Sequence, residues 1–514
     1  MKRRSLPALC IALVGLGIVS DSALAADETT RVIISFKPGT AGSMRAAVAA
    51  ARGSVQHEIF GMDAMAIEVP TQALNGLSRN PNIEYIEPDE KRFPLSGATP
   101  SASPYQTGQL VPYGIKMVQA DQLPDTYAAN RKVCIIDSGY DLAHEDLSGN
   151  SVTGDNDPGT GAWNTDENHH GTHVAGTIAA INNAGVGVVG VNPNRQLRLH
   201  IVKVFGADGW AYSSTLASAA NKCGAAGANV ISMSLGGARA NRTEERAFDA
   251  LLANNVLSIA AAGNDGNTRV SYPAGYASVV SVAAIDENKQ WATFSQYNKD
   301  VELAGPGVNV LSTVPMGTGS NSALTVGSTV YAPGGMDGSP KKTASAALAD
   351  FGIGDATSSA VSGKVCLIAR GTIDFATKVS NCQASGGVGA VIYNNVAGSF
   401  GGTLGTTVTT IPSVTASDTE GASMKLQLGQ TATVSVTASN YAYFDGTSMA
   451  TPHVSAVTAL VWSYFPACSA TQIRNSLDKS AEDLGTAGRD TKFGFGLVRA
   501  KSAYDRIASQ GCGN

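Results

Sequence analysis

Between residues 133 and 283, five short apolar runs alternate with helical stretches. The runs are Val133-Cys-Ile-Ile136, His200-Ile-Val-Lys-Val204, Val230-Ile-Ser-Met233, Leu257-Ser-Ile-Ala-Ala261 and Val279-Val-Ser-Val-Ala283. Helical patterns fall at Thr172–Ile181, Ser213–Ala226 and Thr243–Ala253. Near-continuous apolar runs are those of strands buried on both faces. Strands that alternate with helices assemble as a parallel sheet covered on both sides. The expected fold class is therefore α/β, with helices flanking the sheet.

The rest of the 514 residues changes character in three places. Residues 27–92 read strand, helix, strand, helix, strand: Arg31–Phe36, Ser43–Ala51, Ala64–Val69, Thr71–Leu77 and Ile83–Pro88. That order suggests a small α+β unit. Pro94–Gln109 is rich in Ser, Pro, Gly and Thr and marks a boundary. From residue 317 to 440 Gly, Thr, Ser and Val dominate and many short strands are expected, with one helix at Asp374–Ser385. An Ala-rich helix from Ser448 through Tyr464 restores the α/β pattern, so the middle block reads as an insert. The expected division is 1–25, 26–100, 101–316, 317–440 and 441–514, the two flanks of the insert forming one body.

The N-terminus reads as a secretory signal: Lys2, Arg3 and Arg4, an apolar stretch Leu9–Val19, then Ala23-Leu24-Ala25 as a cleavage site. That stretch is too short to span a bilayer. No other apolar run approaches membrane length, so a secreted protein without stable membrane association is expected. A net charge of −5 and the lack of a long basic run argue against nucleic acid as a partner. A charged fraction of 15% beside 43% apolar residues is that of a folded chain. Of seven cysteines, Cys10 leaves with the signal. The other six, an even number in an exported chain, point to disulfides. Proximity pairs Cys366 with Cys382 and Cys468 with Cys512, leaving Cys134 with Cys223.

Three motifs carry the chemistry. Asp137 ends an apolar strand in Ile136-Asp-Ser-Gly139. His170 opens His170-Gly-Thr-His-Val-Ala-Gly-Thr177 just before a helix, and Ser448 lies before another in Gly446-Thr-Ser-Met-Ala-Thr-Pro-His453. Open α/β sheets place ligands at the carboxyl ends of their strands, where all three can meet. A serine hydroxyl needs a base to become a nucleophile. Imidazole accepts and returns a proton near neutrality, and a buried carboxylate fixes its tautomer. Asn264, in Ala261-Ala-Gly-Asn-Asp-Gly266, can donate to a developing oxyanion. Taken singly, each residue is more often a cap or a packed group; three long motifs in this order are a stronger signal.

These motifs resemble the subtilisin family of serine proteases, across residues 109–315 and 441–505 and the leading unit. The order Asp137, His170, Ser448 is the family's. The resemblance implies a serine endopeptidase acting through an acyl-enzyme, made as a zymogen and acting on proteins or peptides; a monomer is expected. Of the neighbouring histidines it selects His170 over His169 and leaves His173 structural. It implies that Ser234, Leu235 and Gly236 line one wall of the specificity pocket, Ala262 and Gly263 the other, with Ser271 at the floor. It implies a structural Ca²⁺ held by Gln109, Asp146, Asn183 and the carbonyl of Ile181; oxygen donors suit that ion. Asn182–Gly190 is one residue longer than the family pattern, which leaves the remaining carbonyl ligands open. Residues 27–92 are similar to the family's propeptide, an intramolecular chaperone and inhibitor whose tail is cut between about Arg92 and Gln109. The insert resembles a protease-associated domain through Gly363–Gly371, Phe375–Lys378 and Ala384–Ala390.

Other readings compete. A non-enzymatic binding protein would keep the fold without catalysis, against the complete trio and Asn264. A metal hydrolase using His169, His170 and His173 lacks the HExxH pairing. A lipase or esterase would carry Ser448 in G-x-S-x-G. Gly185-Val-Gly-Val-Val-Gly190 fits GxGxxG but follows a helix rather than a strand, so a dinucleotide site is not expected.

Overall fold

The computed structural model describes residues 29–58, 63–88, 109–157, 159–183, 185–206, 211, 213–240, 242–398 and 400–513. The signal segment and most of the expected cleavage stretch lie outside these residues. The chain divides into two compact units, Met1–Ala102 and Ser103–Asn514.

In the first unit four antiparallel strands pair in the order Ser54–Glu58, Ala64–Pro70, Thr29–Phe36, Ile83–Pro88. Alternation puts Val32, Ile34, Phe36, Met65, Ile67 and Val69 on one face. There they pack against Met44 and Val48 of the helix Ala41–Ala50. The edge strand Ser54–Glu58 was not expected from the sequence. Its five residues carry one apolar side chain, Val55, so hydrophobic periodicity gives no signal.

The second unit is built on a seven-stranded parallel sheet in the order Val301–Pro306, Val279–Ile285, Leu257–Ala261, Val230–Met233, Lys132–Asp137, Arg198–Lys203, Ser151–Asn156. The five runs read from the sequence are its inner strands. The two edges are additions: Ser151–Asn156 is too polar to read, and Val301–Pro306 ends in Gly-Pro. Helices cover both faces, and two separate hydrophobic cores lie on the two sides.

The helix Thr447–Tyr464 runs through the larger core, with nearly every residue buried. Its Thr451 and Thr458 hydroxyls donate to carbonyls four residues back, which satisfies them in place. Pro452 sits inside its second turn. Proline has no N–H, so the carbonyl of Ser448, four residues before it, receives no helical bond from it. Ser234 Oγ donates to that carbonyl at 2.7 Å instead.

Between Thr313 and Tyr441 the chain forms a second seven-stranded sheet. Thr329–Tyr331, Gly319–Val326, Thr431–Ser439 and Thr343–Asp350 pair antiparallel; Val365–Ala369, Gly389–Tyr393 and Ser413–Ala416 continue it in parallel. This block is β-rich, as expected, and carries two helices: Phe375–Ala384, where one was expected, and Asp418–Lys425, which the sequence reading did not mark. The chain leaves and returns through an antiparallel ribbon, Val310–Thr313 against Tyr441–Phe444. Disulfides join Cys134 to Cys223, Cys366 to Cys382 and Cys468 to Cys512.

Candidate active site

Asp137 is the last residue of its strand and is fully buried. His170 is the first residue of the helix His170–Ala179, one step inside the element rather than before it. Asp137 Oδ1 lies 2.8 Å from His170 Nδ1 and also accepts the Ser138 backbone N–H at 2.7 Å. The imidazole is held between opposing effects. Burial pushes its pKa down, but the charge and hydrogen bond of Asp137, with Asp166 adding, bring it above the ordinary value. The outer side of the ring remains open, with the side chain 26% exposed.

The approach of strand and helix is close. A Cβ on Gly171 would come within 2.3 Å of the Gly139 carbonyl oxygen, so only glycine fits there.

Ser448 is the second residue of its helix. Its Oγ donates to the Ser234 carbonyl at 3.1 Å, and Ser234 Oγ returns a bond to the Ser448 carbonyl. Among the described residues no hydrogen bond joins Ser448 Oγ to His170; unliganded sites often hold such pairs apart. The first backbone N–H groups of a helix have no intrahelical acceptor. The Ser448 amide is one of these, at the positive end of the helix dipole.

Asn264 is exposed, and its carbonyl is fixed: Oδ1 accepts the Thr447 N–H at 2.9 Å and the Thr447 hydroxyl at 2.8 Å. That commits the oxygen and turns Nδ2 outward as a donor. Thr447 Oγ1 also accepts the Gly263 N–H at 3.2 Å. Thr447 is a site residue the sequence reading missed. A threonine preceding a serine gives no signal of its own, because its role depends on Asn264 reaching it across 183 positions.

The expected pocket residues come together. Ser234 and Ala262 are buried, Leu235 and Gly263 partly so, and Gly236 is exposed. Gly237 pairs with Tyr272 through two backbone bonds of 2.8 Å. A Cβ on Gly236 would sit 2.3 Å from Ser271 Oγ. None of these side chains is charged.

His173 faces away from this trio. Its Nε2 contacts the Val310 and Ala442 carbonyls at 3.1 Å each, and its ring stacks on Phe444 at 4.3 Å. Burial pushes its pKa down to about 3, so it is a neutral pin across the ribbon that flanks the insert.

The expected cation residues also converge. The Gln109 carboxamide nitrogen lies 2.6 Å from the Ile181 carbonyl, 2.7 Å from Asn183 Oδ1 and 2.8 Å from the Val188 carbonyl. Asp146 Oδ2 accepts the Val188 N–H, while Asp146 Oδ1 is buried without a partner. The GxGxxG glycines belong here: a Cβ on Gly187, at φ +53°, would fall 2.0 Å from Asp146 Oδ2. Among the described residues no helix is long and apolar enough to cross a membrane.

The Subtilase family profile matches residues 128–360, and the PA domain profile matches residues 325–424. The chain is 37% identical over 281 residues to the alkaline protease of Alkalihalobacillus alcalophilus, an alignment covering 54% of this chain and 68% of that one. To subtilisin DY of Bacillus licheniformis it is 41% identical over 216 residues, 41% of this chain and 77% of the relative.

The chain belongs to the subtilase family.

Among solved structures it is similar to the psychrophilic subtilisin-like protease Apa1 from the Antarctic psychrotroph Pseudoalteromonas sp. AS-11. The match has 42% identity and a TM-score of 0.63 over 78% of this chain and 99% of that one. This subtilase is a serine endopeptidase of the subtilisin type carrying a PA domain. The fold class read from the sequence holds.

Proposed function

We propose that this subtilase is a secreted endopeptidase that cleaves peptide bonds through an acyl-enzyme formed on Ser448. His170 Nε2 takes the Ser448 proton as Oγ attacks the scissile carbonyl carbon. The imidazolium is held by the Asp137 carboxylate. The carbonyl oxygen becomes an oxyanion facing Asn264 Nδ2 and the Ser448 N–H. His170 then protonates the leaving amine as the C–N bond breaks. Water, deprotonated by the same imidazole, releases the acid product. The observation that carries this reading is the Asp137–His170 bond of 2.8 Å beside an Asn264 amide whose oxygen is already committed to Thr447. The uncharged pocket of Ser234, Leu235, Gly236, Ala262, Gly263 and Ser271 supports a neutral, largely apolar residue before the cleaved bond.

The reading includes Ca²⁺. Around Gln109, three oxygens meet an amide with two N–H groups, and a buried Asp146 oxygen lacks any donor. That excess of oxygen suits a hard cation. Gln109, Asp146, Asn183 and the Ile181 carbonyl would hold it, with Val188 beside them, and the ion would supply structural charge balance only. The division of the chain, with 26–100 as a self-cleaved inhibitory propeptide, belongs to the same reading.

The test is the intact mass of the exported protein, wild type against Ser448→Ala. Loss of a leading fragment from the wild type alone supports Ser448 as the nucleophile that frees its own propeptide. Identical processing of both proteins removes that support.

A further inference from the structure

The geometry points to Asp166 as a positioning residue for the reaction: its carboxylate clamps the strand end that carries Asp137 to the helix start that carries His170. This proposal rests on the triad reading above.

Asp166 is 8% exposed and receives five donors. Oδ1 accepts the Ser138 hydroxyl at 2.8 Å, the Asn168 N–H at 3.1 Å and the His169 N–H at 2.9 Å. Oδ2 accepts the Thr172 N–H at 2.8 Å and the Thr172 hydroxyl at 2.7 Å. Three of these donors are backbone groups on either side of His170. They hold His169 at φ +75°, a left-handed conformation costly for a residue with a Cβ. That turn sets the direction in which His170 enters the helix.

The Ser138 hydroxyl makes the link to catalysis. Ser138 follows Asp137 directly, and its N–H donates to the same Asp137 oxygen that His170 holds. Its hydroxyl donates to Asp166 and in turn accepts the Gly171 N–H at 2.8 Å. Strand end and helix start therefore share one hydroxyl and one carboxylate. A helix needs only a cap here; a carboxylate that also grips the residue after Asp137 fixes the spacing of two reacting groups. The negative charge has a second consequence, since Asp166 is among the groups that favour the protonated imidazole. The other titratable groups near His170 are Asp137 on the strand, His169 beside it, His173 one turn along the same helix with its ring turned to the ribbon, and the mutually paired Glu167 and Lys203.

Two variants separate clamp from charge. Asp166→Asn removes the charge and turns one acceptor into a donor. With a peptide substrate, kcat is expected to fall roughly tenfold or more, with KM within about twofold. The acid limb of kcat/KM should move to lower pH. Ser138→Ala keeps the charge and cuts the bridge, so kcat should fall while the acid limb stays in place. His170→Ala and Ser448→Ala run alongside. Wild-type turnover in those two would sink the triad reading itself. If they are inactive while Asp166→Asn and Ser138→Ala keep both kcat and the acid limb, losing only melting temperature, the clamp is merely structural and the proposal is overturned. Should Asp166→Asn not fold, Ser138→Ala decides alone: unchanged kcat overturns the proposal.

Discussion

At the scale of single residues, the site works by committing atoms in advance. Asn264 donates outward because Thr447 occupies its oxygen. Asn264→Leu should lower kcat by roughly two to three orders of magnitude, the range typical of subtilisin-type oxyanion donors, with little change in KM; steady-state kinetics on a peptide substrate check this. His170 yields the pH dependence. Its pKa is raised on balance, and only the neutral ring accepts the Ser448 proton. Activity should therefore rise through a midpoint above about 6.5, the free-imidazole value, as pH increases. A pH–kcat/KM profile with its acid midpoint below that value would contradict the assignment.

At the scale of elements, two features decide whether the parts meet. One is the contact of the Asp137 strand with the His170 helix, closed by glycine against glycine. Gly171→Ala forces a Cβ to 2.3 Å from a backbone oxygen, so the elements must separate. Activity should be lost even where far-UV circular dichroism still shows a fold. The other lies far along the sheet. Arg474 grips Glu302 bidentately and donates to the Ala277 carbonyl, while half-buried Asp478 leaves its enclosed Oδ1 unpartnered. Burial, then the charge of Glu302, push the Asp478 pKa up to about 8. The unfolded chain ionises this group near 4. Between those values the folded state holds the extra proton, so stability falls as pH rises through the window. Asp478→Asn should match the parent in melts near pH 4 and exceed it near pH 9, measured on the Ser448→Ala background to avoid autolysis.

At the scale of the molecule, the residues proposed to hold the cation and the root of the insert are one structure. Tyr441, on the returning strand, donates to Glu145 at 2.8 Å, and Asn440 donates to the same carboxylate. His144 bonds the Asn440 carbonyl, and Asp146 lies two residues on from it. The strand that leaves this cluster leads through Phe444 to Ser448. A cation bound only by the folded state stabilises it by about 2.7 kcal/mol at a hundredfold excess over Kd. Added Ca²⁺ should raise the melting temperature of the Ser448→Ala protein and chelator should lower it. Asp146→Asn should abolish both the shift and the calorimetric binding. The same binding should slow proteolytic nicking near residues 313–319.

The sequence by itself determined the inner strands, the α/β class and the candidates for the reacting residues. Buried parallel strands must be apolar throughout, and nucleophile, base and carboxylate each sit in long motifs. It could not show the polar edge strands Ser54–Glu58 and Ser151–Asn156, because strands paired on one side carry little hydrophobic pattern. It also left Thr447, Ser138 and Asp166 unmarked. An acidic residue just ahead of His170 was visible, but helix starts commonly carry one. Only the tertiary structure brings Asp166 to the residue after Asp137, Asn264 to Thr447 and Tyr441 to the cation loop. These are contacts between distant segments, and a hydrogen bond is specified by where atoms meet in space, whereas a strand or helix is specified by its own period.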